Sequence, residues 1–454
     1  DDGGGKLPAR PKSKSGAYKD GPWPLYKIGT DYEAGGARWP WPGCGWKPKL
    51  DMTDRDFTSG LKFYLYDEGP FDMAEADKCM RKHRKLPDEG MKEFDRAFKV
   101  NEREYFTEYP LLPELKKHPQ RVMRKEDAQL FVLGYANGFA RYASPCHTEA
   151  YGQSDDEWDD KVAALLSEDP MFKRNGGRDF LFLHSRYKVD MSKKLKAVLD
   201  SGPIIATFDR YSGRLHAYWR ETWKRGNVIV LPYMSSVALD LERKIPEHKD
   251  DKKRYYFRGN MHRWHGERSY LPKLAEYLGN ADFKEVAFTA AGKASNFEPV
   301  LRESAEEIRK SKVCPSPEGD TPTSLRLFEA LVAGCVPVVI GQANHTTYTL
   351  PFPSLIDYDS IAFFARTFTE IVQTPDGLKK FGDVLESYAA PEATYKKVER
   401  LEAMRQEGIR IFEKHFSYMR NPNGVLTSLL FEAWVMLQQN GLAKGPHEDP
   451  SPDT

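Results

Sequence analysis

The sequence predicts an α/β protein built on doubly wound parallel sheets. Three observations carry that prediction. Residues 311–340, SKVCPSPEGDTPTSLRLFEALVAGCVPVVI, read as strand, helix and strand in direct succession. A βαβ unit of that kind requires a parallel strand pair and a right-handed crossover. The first half of the chain holds short apolar runs at 61–66, 128–133, 180–184, 203–207 and 227–231, separated by helical stretches. That alternation is the pattern of a parallel sheet with helices on both faces. Finally, 454 residues are enough for two domains with cores of their own.

Residues 1–58 are rich in Gly, Pro, Lys and Trp and lack periodicity, which predicts an extended stem pinned to the body by Trp23, Trp39, Trp41 and Trp46. A first domain then spans 59–248. It opens with the strand 61–66, which ends in Asp67, and continues through a helical region around 102–115. The strand 128–133 follows, and Gly176-Gly177-Arg178-Asp179 introduces the strand 180–184. The charged run 249–254 reads as an interdomain linker at the start of a second domain, 249–420. There, 255–258 is a strand ending in Arg258-Gly259, Arg268 begins a helix, 284–289 is a strand and 301–310 a helix. Residues 395–415 and 424–439 are helical, the second within a closing segment 421–444, and the polar tail 445–454 is expected to be disordered.

The βαβ unit has the local chemistry of an anion site. Thr321 is placed as an N-cap, with Pro322 at the first helical position, where a missing N–H costs nothing. Leu325, Phe328, Leu331 and Val332 recur at helical spacing and face a sheet, and Gly334 stops the helix. A helix N-terminus beside a glycine-containing turn favours a bound anion, most usefully a diphosphate. Gly319 lets the backbone come close, Ser316 and Asp320 belong to the turn, and Thr321, Thr323 and Ser324 offer hydroxyls. Arg326 and Glu329 lie three apart on one helix face, a cation for phosphate and a carboxylate for a pair of ribose hydroxyls. The same spacing also describes an ordinary α/β unit with a surface Arg–Glu pair.

This stretch resembles the signature of the exostosin-like inverting glycosyltransferases, the family that includes heparan-sulfate polymerases and plant xyloglucan galactosyltransferases. The matching parts are a Ser-Lys-x-Cys strand, a Pro-x-Gly-Asp turn, a Ser-x-Arg-x-x-acidic helix and a Gly-Cys-x-Pro-Val strand. Residues 108–133 are similar to the family's tyrosine-rich helix and Asp-Ala-x-Leu-Phe strand, and 255–260 to its Phe-x-Gly element. The resemblance implies a GT-B fold, two Rossmann-like domains facing across a cleft, with segment 421–444 returning to the first domain. It also implies a UDP-sugar donor in the second domain and a glycan or glycoprotein acceptor. The implied setting is the Golgi lumen, as a type II membrane protein anchored upstream of Asp1 and able to form a homo- or hetero-dimer. The chain departs from the family at Phe180, where a His is usual, and at Asn227, where an Asp is usual. Thr349 and Pro353 stand where acidic residues flank the family's Leu-Pro-Phe. The departures imply altered substrate choice or, alternatively, a catalytically weak or inactive glycan-binding partner subunit of a related transferase.

Composition narrows the partners. A net charge of +1 gives no case for nucleic acid, and no apolar run approaches the roughly 20 residues that span a bilayer. The aromatic content of 13% includes nine Trp that could stack on sugar rings. The five Cys (Cys44, Cys79, Cys146, Cys314 and Cys335) lack metal-ligand spacing. One or two disulfides with at least one thiol left over are expected in a secretory lumen, although Cys314 and Cys335 also read as buried small hydrophobes. Asn344-His345-Thr346 is a glycosylation sequon. His262 and His265 lack a third metal ligand, and Asp357-Tyr358-Asp359 reads as a strand-start turn. Inverting transfer needs a base for the acceptor hydroxyl and positive groups around the departing diphosphate. Arg258, Gly259 and Arg268, with the turn and helix from Ser316 to Glu329, meet the second need without metal or other cofactor. The candidate bases are His184, Asp67 and Asp209, each at the end of an apolar run. His184 ranks first because an ordinary pKa of about 6.5 suits base work.

Overall fold

The computed structural model describes residues 61–85, 106–142, 146–185, 190–208, 228–235, 237–238, 241, 253–261, 266–285, 297–318, 324–340, 350–365, 372, 374 and 376–443. The expected stem and tail lie outside them, as do Cys44, Asn227, His262, His265, Asn344 and Thr349.

The described strands form two sheets. The first contains β1 (Phe63–Tyr66), β2 (Arg121–Val122), β3 (Leu130–Leu133), β4 (Phe180–His184), β5 (Ile204–Thr207) and β6 (Val228–Val230), in the order β2-β1-β3-β4-β5-β6. The second contains β7 (Lys253–Gly259), β8 (Ala281–Glu285), β9 (Ser311–Pro317), β10 (Val336–Ile340) and β11 (Phe363–Ala365), in the order β11-β10-β9-β7-β8. Every pairing is parallel. Counted from its own first strand, the second sheet repeats the order of the first. The direction of winding reverses between β1 and β3, and again between β7 and β9. In doubly wound sheets the ligand crevice lies outside the carboxyl ends of the strands at that reversal. This is the two-sheet α/β architecture expected of a GT-B protein.

In the first half the helices are α1 (Ala74–Arg84), α2 (Leu111–Lys117), α3 (Asn137–Tyr142), α4 (Cys146–Tyr151), α5 (Asp155–Glu168), α6 (Pro170–Asn175) and α7 (Lys193–Leu199). Their limits follow local chemistry. Ser154 and Glu157 form a reciprocal capping box at α5, and Asp169 caps α6 ahead of Pro170, with Gly176 in the left-handed conformation behind it. In the second half they are α8 (Gly266–Ser269), α9 (Leu271–Glu276), α10 (Phe297–Arg309), α11 (Leu325–Ala333), α12 (Gly377–Ala389), α13 (Tyr395–Ile411) and α14 (Pro422–Gln439).

Among the expected boundaries that move, three have a physical reason. The strand expected at 284–289 is β8, which ends at Glu285; it is a half-exposed edge strand of sequence ADFKE with no apolar alternation to announce it. The expected linker overlaps β7, where Arg254 is ion-paired with Glu386 at 2.6 Å. The helix expected to run to 415 stops at Ile411 and passes into a π turn, Phe412–Phe416.

One buried cluster runs from the first sheet through Tyr256, Cys314, Val339 and Phe364 on one face of the second, and on to α14. A second cluster packs Tyr255, Phe257, Val313 and Val338 on the opposite face against α9 and α12. The α14 helix lies against α2 and β6, and the Tyr418 hydroxyl donates to the Pro232 carbonyl at 3.0 Å. Cys79–Cys146 joins α1 to α4, and Cys314–Cys335 joins β9 to the residue before β10. The reading of Cys314 and Cys335 as free apolar side chains is therefore corrected: the βαβ crossover returns the chain to within a Cα–Cα distance of 5.9 Å. Among the described residues no helix is long and apolar enough to cross a membrane.

Candidate active site

The reversal in the second sheet gathers several sequence-predicted residues. β7 ends in Arg258-Gly259 and β9 in Ser316-Pro317, and the Glu318 N–H donates to the Ile340 carbonyl at 3.1 Å, closing the turn over β10. Arg258 pairs with Glu303 of α10 at 2.8 Å and donates to the Val300 carbonyl at 3.3 Å. Burial opposes the Arg258 charge, but Glu303 and the Tyr256 phenol outweigh it and hold the guanidinium above its ordinary pKa. Its Nε has no hydrogen-bond partner among the described residues. The Ser316 hydroxyl, 1% exposed, is likewise without one among them.

Gly259 has a specific reason to be glycine. A Cβ there would stand 3.0 Å from the Phe257 ring and 3.6 Å from Arg326 Nη2. The Arg326 guanidinium of α11 therefore reaches the end of β7, the strand that also carries Arg258. Each guanidinium is paired with a carboxylate, Arg258 with Glu303 and Arg326 with Glu329, so phosphate oxygens bound there would compete with those partners.

Arg268 is engaged with backbone carbonyls of the site. It is buried, with Nε donating to the Glu318 carbonyl at 2.8 Å and Nη1 to the Asn260 carbonyl at 3.3 Å. It clamps the turn after β9 to the end of β7, so its charge serves the backbone of the site. The N-cap is also corrected. Helix α11 begins at Leu325, and Ser324, extended at φ −124° and ψ 130°, accepts the Arg326 N–H. Gly319, Asp320, Thr321 and Thr323 lie outside the described residues.

Glu329 is 4% exposed, with partners on both carboxylate oxygens. Arg326 Nη1 lies 2.5 Å from Oε2, and the Ser235 hydroxyl donates to Oε1 at 2.5 Å. Ser235 follows β6 of the first sheet, so this carboxylate joins the two halves of the chain. Each Glu329 oxygen keeps a second lone pair, so its two present bonds do not by themselves bar a ribose hydroxyl.

The candidate bases of the first sheet are held internally. His184, the last residue of β4, is fully buried, with Nδ1 2.9 Å from Asn137 Oδ1 at the start of α3. Beside it, the fully buried Glu108 accepts the Gly138 and Phe139 N–H groups at 2.5 and 3.1 Å. The Ser185 hydroxyl meets Thr107 at 2.5 Å and accepts the Glu108 N–H. Asp67 is ion-paired with Arg121 of β2 at 3.0 Å. Asp209 lies outside the described residues. Phe180, at the family's His position, is fully buried and stacks on Phe131 at 4.8 Å. Asp357 Oδ1 accepts the Asp359 N–H at 3.2 Å, so the D-x-D pattern closes a turn before β11.

Sequence reasoning missed Glu303, Ser235, Asn137 and the role of Glu108. Glu108 lay within the quoted run 108–133, but its partners are set by the tertiary fold.

The sequence profile of the family described as "Exostosin GT47 domain" matches residues 58–372. The chain is 26% identical over 219 residues to a probable arabinosyltransferase of Arabidopsis thaliana, covering 47% of this chain and 44% of that protein. It is 27% identical over 246 residues to a probable glucuronoxylan glucuronosyltransferase of the same plant, covering 51% and 49%. It is 32% identical over 132 residues to exostosin-1 of Drosophila melanogaster, covering 29% and 14%. The chain thus spans about half the length of the plant proteins it matches, and less of exostosin-1.

Proposed function

The chain belongs to the exostosin GT47 domain family, and from that premise we propose that it is an inverting glycosyltransferase. It moves a sugar from a UDP-sugar donor to a glycan or glycoprotein acceptor in the Golgi lumen. The relatives named as arabinosyl- and glucuronosyltransferases support sugar transfer. The two disulfides support an oxidising secretory compartment.

The observation that carries the reading is the approach of Arg326 to Gly259, next to Arg258 at the end of β7, where the winding of the second sheet reverses. A diphosphate seated there would meet both guanidinium groups and the Ser316 hydroxyl. In the transfer step an acceptor hydroxyl attacks the anomeric carbon, the bond from that carbon to the diphosphate oxygen breaks, and the electron pair leaves with the diphosphate. The two arginines stabilise that charge, so this chemistry needs no metal. The acceptor proton passes to a base of the first sheet. His184 and Asp209 remain the candidates, because Asp67 is engaged in the ion pair with Arg121. Glu329 accepts the hydroxyls of the donor ribose through its remaining lone pairs.

The test is turnover on a panel of UDP-sugars, read as hydrolysis or transfer. Arg326→Ala is expected to lower kcat/KM by about 100-fold or more. Glu329→Gln, which keeps the shape and the Ser235 contact, is expected to raise KM. Turnover untouched by both substitutions rejects this site. A chain that binds UDP in a thermal-shift assay yet turns over none of the sugars is the non-catalytic partner subunit. Stronger stabilisation by GDP than by UDP would replace the donor nucleotide.

A further inference from the structure

The Cys79–Cys146 bond sits within a set of metal donors, unlike the other disulfide. Cys79 and His83 are four apart on α1, and Cys146 and Glu149 are three apart on α4, so each pair shares a helix face. The two helices pack against each other, and the disulfide joins those faces. The four ligating atoms, two Sγ, one imidazole nitrogen and one carboxylate oxygen, all lie within 4.8 Å of one another. His83 Nε2 is 3.0 Å from Glu149 Oε2, and Cys79 Sγ is 3.6 Å from the same oxygen. A tetrahedral zinc with bonds of about 2.0–2.3 Å sets its ligand atoms about 3.3–3.8 Å apart, within rotamer adjustment of this arrangement. Cys146 is buried, but Cys79 is half-buried and His83 and Glu149 are exposed, which opens the cluster to a reductant and to an ion from the Cys79 side. Cys314 and Cys335 are 3% and 1% exposed, and no second donor group of this kind occurs among the described residues.

We propose that this cluster has two states: a disulfide when oxidised and, when reduced, a four-ligand zinc site made by Cys79, His83, Cys146 and Glu149. A thiol or phosphine reductant gives two electrons to the S–S bond and is itself oxidised. The two thiols then lose their protons to solvent as Zn²⁺ binds the thiolates. Four protein ligands leave no open position, so the ion is structural. In either state α1 stays fastened to α4. The site stands apart from the transfer chemistry and includes none of its residues.

The experiment is a Co²⁺ titration of the full chain after reduction with a phosphine, followed by competition with Zn²⁺. One equivalent is expected to bind with thiolate-to-cobalt absorption, and the oxidised chain is expected to lack that band. His83→Ala and Glu149→Ala should each weaken Co²⁺ binding by at least about tenfold, with sugar transfer unchanged. A reduced chain without the thiolate band, or with affinity unaltered in both variants, overturns the site. Should reduction abolish the thermal unfolding transition, its recovery on adding Zn²⁺ supports the site and continued loss overturns it.

Discussion

The two sheets share one strand order, yet they treat the polar groups at their carboxyl ends differently. In the first sheet the titratable groups at the strand ends have partners inside the protein, although Arg121 Nε and Asn137 Nδ2 are themselves buried without one among the described residues. Asp67 is held by Arg121, His184 by Asn137, and Glu108 by two backbone N–H groups. In the second sheet Ser316 Oγ and Arg258 Nε are buried without partners among the described residues, and Arg326 leans over a glycine. Buried polar atoms left in that condition cost free energy, which a ligand bearing matching oxygens would return. Under the proposed function, internal pairs hold the strand ends of the first sheet and the strand ends of the second receive an anion.

The largest expected effects come from the two glycines at the reversals. A Cβ on Gly134 would lie 2.6 Å from the Tyr66 carbonyl and 3.2 Å from that of Phe71, both backbone atoms that cannot turn aside. Gly134→Ala is expected to destabilise the protein by roughly 3 kcal/mol or more, measured by chemical denaturation. Gly259→Ala meets only the edge of the Phe257 ring at 3.0 Å and a mobile guanidinium at 3.6 Å. Its stability should stay within about 1 kcal/mol of the parent, while UDP binding weakens because the added methyl group takes up space beside Arg326 at the end of β7. Equal stability losses for the two variants would erase that distinction between the two sheets.

A smaller contrast comes from the two arginine pairs. The Asp67–Arg121 pair is shielded on both sides, with side chains 19% and 17% exposed, whereas Glu303, the partner of Arg258, is 46% exposed. Arg121→Met leaves a shielded carboxylate and should cost about 2 kcal/mol. Arg258→Met leaves a carboxylate that water can reach, so its thermal unfolding should barely move while its UDP affinity falls. A thermal loss at Arg258 matching that at Arg121 would make Arg258 architectural.

What was legible in the sequence was what short-range chemistry specifies. The run Val336–Ile340, apolar apart from one Pro, and the stop at Gly334 locate the second strand of the βαβ unit, because parallel strands are buried on both faces. The start of α11 was less legible, because Thr321, Thr323 and Ser324 all offer capping hydroxyls and only the backbone angles of Ser324 decide among them. β8 escaped because an edge strand needs no apolar alternation. The bond between Ser235 and Glu329 joins residues 94 apart, and no local pattern announces it. The donor set of Cys79, His83, Cys146 and Glu149 has no signature along the chain, since its spacing has meaning only once both segments are helices that pack together.

The smallest effect tests whether titration in the first sheet registers as stability. His118 follows α2 with its ring 5.6 Å from that of Phe63, and Nδ1 accepts the Gln120 N–H at 3.3 Å. Burial pushes its pKa below the ordinary value, with Glu114 opposing. The unfolded chain, with an ordinary value of about 6.5, therefore binds the proton first as the solution is acidified. The contribution of neutral His118 is complete above about pH 6.5 and is lost as pH falls from there toward the folded value. Unfolding free energy is thus expected to decline across that window, and His118→Gln to flatten the decline, with the pH dependence of turnover unchanged. A slope indifferent to the substitution would move the acid sensitivity to another group. Asp169 would not account for it. Burial raises that carboxyl, but hydrogen bonds from Lys125, Tyr66 and the Met171 N–H outweigh it and hold the group below its usual range. Its stabilisation is lost only below about pH 4, so the two windows separate the candidates in one titration.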